Sequence, residues 1–334
     1  MIIGGARTVF LHIGRGKSGS TTIQSFVKEN AAFMAAAGFH CPLIPNGMAN
    51  HARLAASLPD RSADRAPIGA FRRDLERSPH AKLFLSAEAL LPMPKAGINL
   101  LKRLTADRDV RLLAYIRPYP DWLRSLYAQR TKRATSVLDF DGFFAETESG
   151  TSALSSLEVW AKAFGWQALR VRPLEASALA GGTLLTDLLD ALEIRQPPPP
   201  VEDANVSPHW ITLELMRALA KETETVDMKS VRVIYAIAEQ CAEGVAPRVA
   251  QYLTPAQWHA LDRLYTEDME VLGQYMGRSF PNSATAPGER PFLPSFDVIP
   301  SRIKADILTG LRGSPLRRRV RPDVVQVLES LLKS

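Results

Sequence analysis

A short apolar run, "TVFLHI" at residues 8–13, passes straight into "GRGKSGSTT" at 14–22, after which Ile23, Phe26, Val27, Asn30, Phe33 and Met34 recur at helical spacing up to Gly38. A buried strand that enters a helix through a turn of glycine and small hydroxyl residues is a βα unit. It leaves the chain few choices, because the next strand must run parallel and the connecting helix must cover a face of the sheet. The turn also has a chemical meaning. Small residues let backbone N–H groups curl around a phosphate, and the helix behind them adds the positive end of its dipole. With Lys17 supplying a side-chain charge, Arg15, Gly16, Lys17, Ser18, Gly19, Ser20, Thr21 and Thr22 form a candidate phosphate cradle.

The same alternation continues along the chain. Strands are expected at "KLFLSAEAL" (82–90), "VRLLAYIRP" (110–118) and "ALRVRPLE" (168–175), with helices from Pro120, near 152–164 and near 183–193. This pattern predicts an α/β fold, a three-layer parallel sheet of the P-loop NTPase type flanked by helices. "QPPPP" at 196–200 reads as an extended connector. Beyond it 209–245 and 255–277 are expected to be helical, 281–300 irregular, and 322–333 a last helix. The expected organisation is an α/β core at 1–195, a Pro-rich connector at 196–208, and a mainly helical region at 209–334 packed on the core. There is no internal repeat.

Composition narrows the partners. A chain of 334 residues that is 46% hydrophobic and 23% charged has ordinary globular composition, and no apolar stretch approaches a membrane span. Residues 1–20 lack a signal-peptide layout, which points to the cytoplasm. Cys41 and Cys241 stand 200 residues apart without a Cys/His cluster, so buried free thiols are expected and no metal site. The net charge of +6 is uneven: residues 102–133 hold nine Lys/Arg against three Asp, and 301–334 hold eight against three acids. Basic surfaces of this kind suit an anionic ligand. Nothing interleaves aromatic and basic residues as a sequence-reading nucleic-acid binder would.

Which phosphate the cradle holds is narrowed by what the loop lacks. A nucleoside-triphosphate P-loop needs a glycine where this chain has Leu11, and its small residues do not continue past the lysine as "SGSTT" does here. Instead "GRGKSGSTT" resembles the 5′-phosphosulfate loop of sulfotransferases that use 3′-phosphoadenylyl sulfate (PAPS). A second element matches: in "YIRPYPDWLRSLYAQ" (115–129) an arginine ends a strand and a serine follows eight residues later, similar to that family's 3′-phosphate segment, with Arg117 and Ser125 as ligands. A guanidinium fork grips phosphate bidentately and a helix-borne hydroxyl completes the grip. Read without the family, Arg117 could instead pair with Asp121, and Ser125 could be an idle hydroxyl. "LRVRPLEASALAGGTLLTDLLDAL" also resembles a segment of bacterial carbohydrate-type members, and the resemblance spans roughly residues 8–210.

The resemblance implies transfer of a sulfuryl group from PAPS to a hydroxyl or amine of a carbohydrate or other metabolite, releasing adenosine 3′,5′-bisphosphate without a metal. Lys17 would stabilise the leaving phosphate, and Thr21 and Thr22 would donate hydroxyl hydrogen bonds. The base would be Glu88, just past the second long strand where cytosolic members carry a histidine, or His51, which begins an amphipathic segment. The run Arg312, Gly313, Arg317, Arg318, Arg319 and Arg321 could cover the 3′-phosphate, or be a solvated helix start, or attract a polyanion. In "NVSPHW" (205–210), Ser207 and Pro208 read as a helix start. Two alternatives stay open: a small-molecule or nucleotide kinase with a degenerate loop, and a non-catalytic polyanion-binding protein. The acceptor and the oligomeric state are left open by the sequence.

Overall fold

The computed structural model describes residues 7–43, 49–60, 64–134, 137–200, 207–280 and 294–333. Residues 201–206 of the expected connector and 281–293 of the expected irregular segment lie outside them. Five strands, β1 (Thr8–His12), β2 (Phe39–His40), β3 (Lys82–Ser86), β4 (Asp109–Ile116) and β5 (Leu169–Pro173), form one parallel sheet in the order β2-β3-β1-β4-β5. The helices in chain order are α1 (Ser20–Glu29), α2 (Ala31–Ala36), α3 (Ala52–Ser57), α4 (Ala66–Arg77), α5 (Lys95–Leu104), α6 (Tyr119–Thr131), α7 (Phe140–Thr147), α8 (Leu154–Phe164) and α9 (Leu184–Ala191). They continue with α10 (Trp210–Glu222), α11 (Met228–Ala242), α12 (Pro255–Met276), α13 (Ser301–Gly313) and α14 (Pro322–Leu331).

The chain divides into two units. The first comprises residues 1–119, 152–202 and 262–284, and the second 120–151, 203–261 and 285–334. The division is therefore interleaved along the sequence: α6 and α12 each begin in one unit and end in the other, away from the tetraproline.

The first unit holds the sheet, whose strands are buried on both faces and so read as continuous apolar runs rather than alternating ones. On one face Phe10, Phe84, Leu113 and Tyr115 pack with Ile23, Phe26 and Val27 of α1, Met34 of α2 and Leu188 and Leu189 of α9. Their alternates Val9, Leu11, Leu83, Leu85 and Leu112 are equally buried, which makes the sheet the middle of three layers, as expected. Each such side chain contributes about 1.5–3 kcal/mol by leaving water. The helix expected after the loop is interrupted: the Asn30 N–H donates to the Phe26 carbonyl (2.9 Å), α2 resumes at Ala31, and Gly38, with φ +83°, turns the chain into β2. A two-residue edge strand such as β2 carries no periodicity to read.

The second unit is helical among its described residues. The α10 helix is buried from Trp210 to Ala220, all round, and carries an internal ion pair between Glu214 and Arg217 (2.6 Å). Its helix start differs from expectation. The cap is His209, whose Nδ1 accepts the Ile211 N–H (3.2 Å), rather than Ser207 or Pro208. Both cysteines are half-buried free thiols, and burial pushes Cys41 up to about 12. Among the described residues no group of three metal-ligating side chains occurs, and no helix is long and apolar enough to cross a membrane.

Candidate active site

The site is assembled by strand register. In the β1/β3 pair His12 lies opposite Ser86, and the Ala87 N–H donates to the His12 carbonyl (3.1 Å), so the loop after β1 and Glu88 leave the sheet side by side. In the β1/β4 pair His12 lies opposite Leu113, and the Ile13 N–H donates to the Leu113 carbonyl (2.9 Å). Four residues further, Arg117 emerges at the same carboxyl edge. Chain direction changes here, since β1 leads out to β2 on one side of the sheet and β3 leads across β1 to β4 on the other. Open parallel sheets bind their ligands at such an edge.

The loop conformation follows from its residues. Lys17 has φ +69° and Gly19 φ +81°, both left-handed, and the Ser18 N–H closes a turn on the Arg15 carbonyl (3.1 Å). Alternating right- and left-handed residues turn successive N–H groups inward, which is how a backbone cradles an anion. Gly19 is the N-cap of α1 and brings no side chain to cap it. Ser18 is fully buried, and among the described residues its Oγ has no hydrogen-bond partner. An unsatisfied buried hydroxyl and a helix start without a side-chain cap are what an anionic phosphosulfate group would complete. The residues therefore fit it. Thr21 is exposed and Thr22 half-buried on the first turn of α1, while Lys17 and Gly16 are half-buried.

Beneath the loop lies a polar support that the sequence did not reveal. His12 is fully buried; its Nδ1 pairs with Ser86 Oγ (2.8 Å), which accepts the Gln24 side-chain amide (3.1 Å). Burial pulls the His12 imidazole down to about 4, so it is neutral. Its ring fills the place of a side chain at Gly14, where a Cβ would stand 2.3 Å from Nε2.

The two candidate bases are placed differently. Glu88 opens a short 3-10 turn, half-buried; its Oε1 accepts the Ser20 hydroxyl, and its Oε2 is 3.4 Å from where a Cβ of Gly16 would stand. The carboxylate thus borders the cradle. His51 is buried and tied to the backbone at both ring nitrogens: Nδ1 accepts the Ser86 N–H (3.3 Å) and Nε2 donates to the Pro42 carbonyl (3.0 Å). Burial lowers its pKa, and its ring has no nitrogen left to receive a proton from an acceptor.

Other expected residues fall as follows. Arg117 is half-buried at the end of β4, in the first unit. Ser125 is half-buried on the part of α6 that belongs to the second unit, where Asp121 accepts a hydrogen bond from Arg124 (2.6 Å). In the second unit Arg312 and Arg317 both approach Glu329 (3.4 and 3.5 Å), and Arg321 pairs with Asp323, so much of the late basic run has local acidic partners.

Arg15 has an environment that sequence reasoning missed. Its guanidinium lies 5.8 Å from the ring centroid of Tyr119, and burial pulls it down to about 10 against the opposing pull of Tyr119 and Asp268. The Tyr119 hydroxyl donates to Asp268 on α12 and accepts the Ala153 N–H (2.9 Å), while Ser152 Oγ donates to the same carboxylate (2.7 Å). No signal in the sequence joins residues 15, 119, 152 and 268.

No protein-family model matches the chain, and no curated protein matches it. Among solved structures it is similar to a sulfotransferase from Alicyclobacillus acidocaldarius, with 13% identity over 82% of this chain and 98% of that one and a TM-score of 0.48. It is also similar to a mouse sulfotransferase complexed with PAP, with 14% identity, 82% and 91% coverage and a TM-score of 0.40.

Proposed function

We propose that the protein is a sulfotransferase that takes PAPS as donor and sulfates a hydroxyl or amine of a carbohydrate or similar metabolite. The observation that carries this reading is the meeting, at one sheet edge, of a left-handed Lys17 loop, the strand-end Arg117 and the Glu88 carboxylate. PAPS would supply the sulfuryl group and a phosphate leaving group. Cradle amides and the Ser18 hydroxyl bind the 5′ side, and Arg117 is assigned to the 3′-phosphate. Lys17 holds a positive charge at the loop, where a leaving oxygen would gain negative charge, and fixed charges of this sort commonly contribute most to rate. Glu88 is assigned as the base that receives the acceptor proton.

Calorimetric titration with adenosine 3′,5′-bisphosphate, AMP, and ATP with magnesium tests this reading. A clear preference for the bisphosphate over AMP is expected, and Arg117→Ala should remove most of that preference. Stronger binding of magnesium ATP would favour a kinase. Binding of none of the three would favour a polyanion-binding role.

A further inference from the structure

We propose that Asp268 is a positioning residue that sets Arg15 for anion binding at the loop, acting through the Tyr119 ring. The inference rests on the anion-site reading above and adds to it a residue from α12, a helix in which the sequence shows no motif.

Asp268 is only 5% exposed and receives two neutral donors, the hydroxyls of Tyr119 and Ser152. Both hydroxyls donate to the same oxygen, Oδ2, and neither carries charge, so a carboxylate in this poorly solvated place is unfavourable without a cation. Arg15 supplies one, since its guanidinium is attracted by Asp268 from above the Tyr119 ring. The ring is fully buried and pinned at its hydroxyl by Asp268 and the Ala153 N–H. Tyr265, whose centroid is 5.4 Å away at 78°, packs edge-on against it. The ring cannot tip, so it gives the guanidinium a fixed plane to rest on.

Orienting an arginine in advance matters because a free one loses considerable rotamer freedom when it grips an anion. Tyr119 also begins α6 two residues after Arg117, so the Asp268 anchor fixes the chain at the strand end as well as the loop arginine.

A double-mutant cycle on the full chain separates positioning from plain structural support, with adenosine 3′,5′-bisphosphate as the calorimetric probe. Asp268→Asn is expected to weaken binding about tenfold, or ~1.4 kcal/mol, when Arg15 is present. In an Arg15→Ala background the same change should cost less than twofold. Equal losses in both backgrounds would overturn the proposal. Ser152→Ala, which leaves the carboxylate charged, should stay within twofold of wild type. Should Asp268→Asn fail to fold, Tyr119→Phe enters the cycle with the same expected non-additivity. A wild-type chain that takes no bisphosphate defeats the functional reading instead, and the cycle run with inorganic phosphate then decides for or against Asp268 by the same criterion.

Discussion

Single residues in the loop divide structural from chemical demands. Lys17 stands at φ +69°, a conformation that costs a non-glycine residue about 1 kcal/mol. Lys17→Gly should therefore raise unfolding free energy in urea by roughly 0.5–1 kcal/mol; under the proposed function it should also abolish sulfuryl transfer, the signature of a residue kept for its charge. Gly19 is the reverse case. Its φ is +81°, and a Cβ there would meet Leu184 Cδ2 at 2.4 Å, so Gly19→Ala should destabilise by about 1–3 kcal/mol in the same measurement. Glu88 borders the cradle and accepts from Ser20, so its negative charge opposes an incoming anion. Glu88→Gln is expected to tighten bisphosphate binding about threefold to tenfold and to slow transfer about 10²–10⁴-fold. Unchanged affinity would mean that the carboxylate does not face the anion. The glycines, the lysine and the glutamate were all legible in the sequence. So was the burial of His12, inside an apolar strand. Its pairing with Ser86 and the backbone hydrogen bonds of His51 were not, because a histidine's partners come from other strands.

At the scale of elements, the long strands and their following helices were readable because each buries an apolar surface with a fixed period. The β2 strand, α4, α5, α7 and α13 were not read: β2 is two residues long, and the four helices, whose buried faces include Ile68, Phe71 and Leu75 in α4 and Ile98 and Leu101 in α5, carry no motif that draws attention to them. The α9 helix shows a further limit. Its Leu184, Leu185, Leu188 and Leu189 announce an amphipathic helix, yet Asp187 is 1% exposed. It accepts from the Tyr115 hydroxyl (2.7 Å), from Arg172 (2.7 Å) and from the Ala180 N–H (2.9 Å), fastening α9 to β4 and β5. Asp187→Ala would leave Arg172 and Tyr115 facing a void, and a loss of about 3–5 kcal/mol in urea unfolding is expected. A loss below 1 kcal/mol would show that the network closes around water.

For the whole molecule, buried neutral histidine predicts acid sensitivity. The His12 imidazole is held at about 4 in the fold, against 6.5 when unfolded. Between those values the unfolded chain takes a proton that the folded chain refuses. The stabilisation is therefore complete above pH 6.5 and is lost as pH falls toward 4, by at most about 3 kcal/mol. His51, also lowered by burial, acts in the same direction. Urea unfolding at pH 7.5 and 4.5 should show this loss, and His12→Asn should make it shallower; an identical slope would assign the acid sensitivity elsewhere. By itself the sequence determined the layer architecture and the position of the loop, since hydrophobic period and glycine placement are local properties of the chain. Only the tertiary structure decided which charges meet. Asp268 reaches Tyr119 and Arg15, and Glu88 reaches Ser20, because parallel register and a returning helix join residues far apart in sequence, and no local spacing encodes such a meeting.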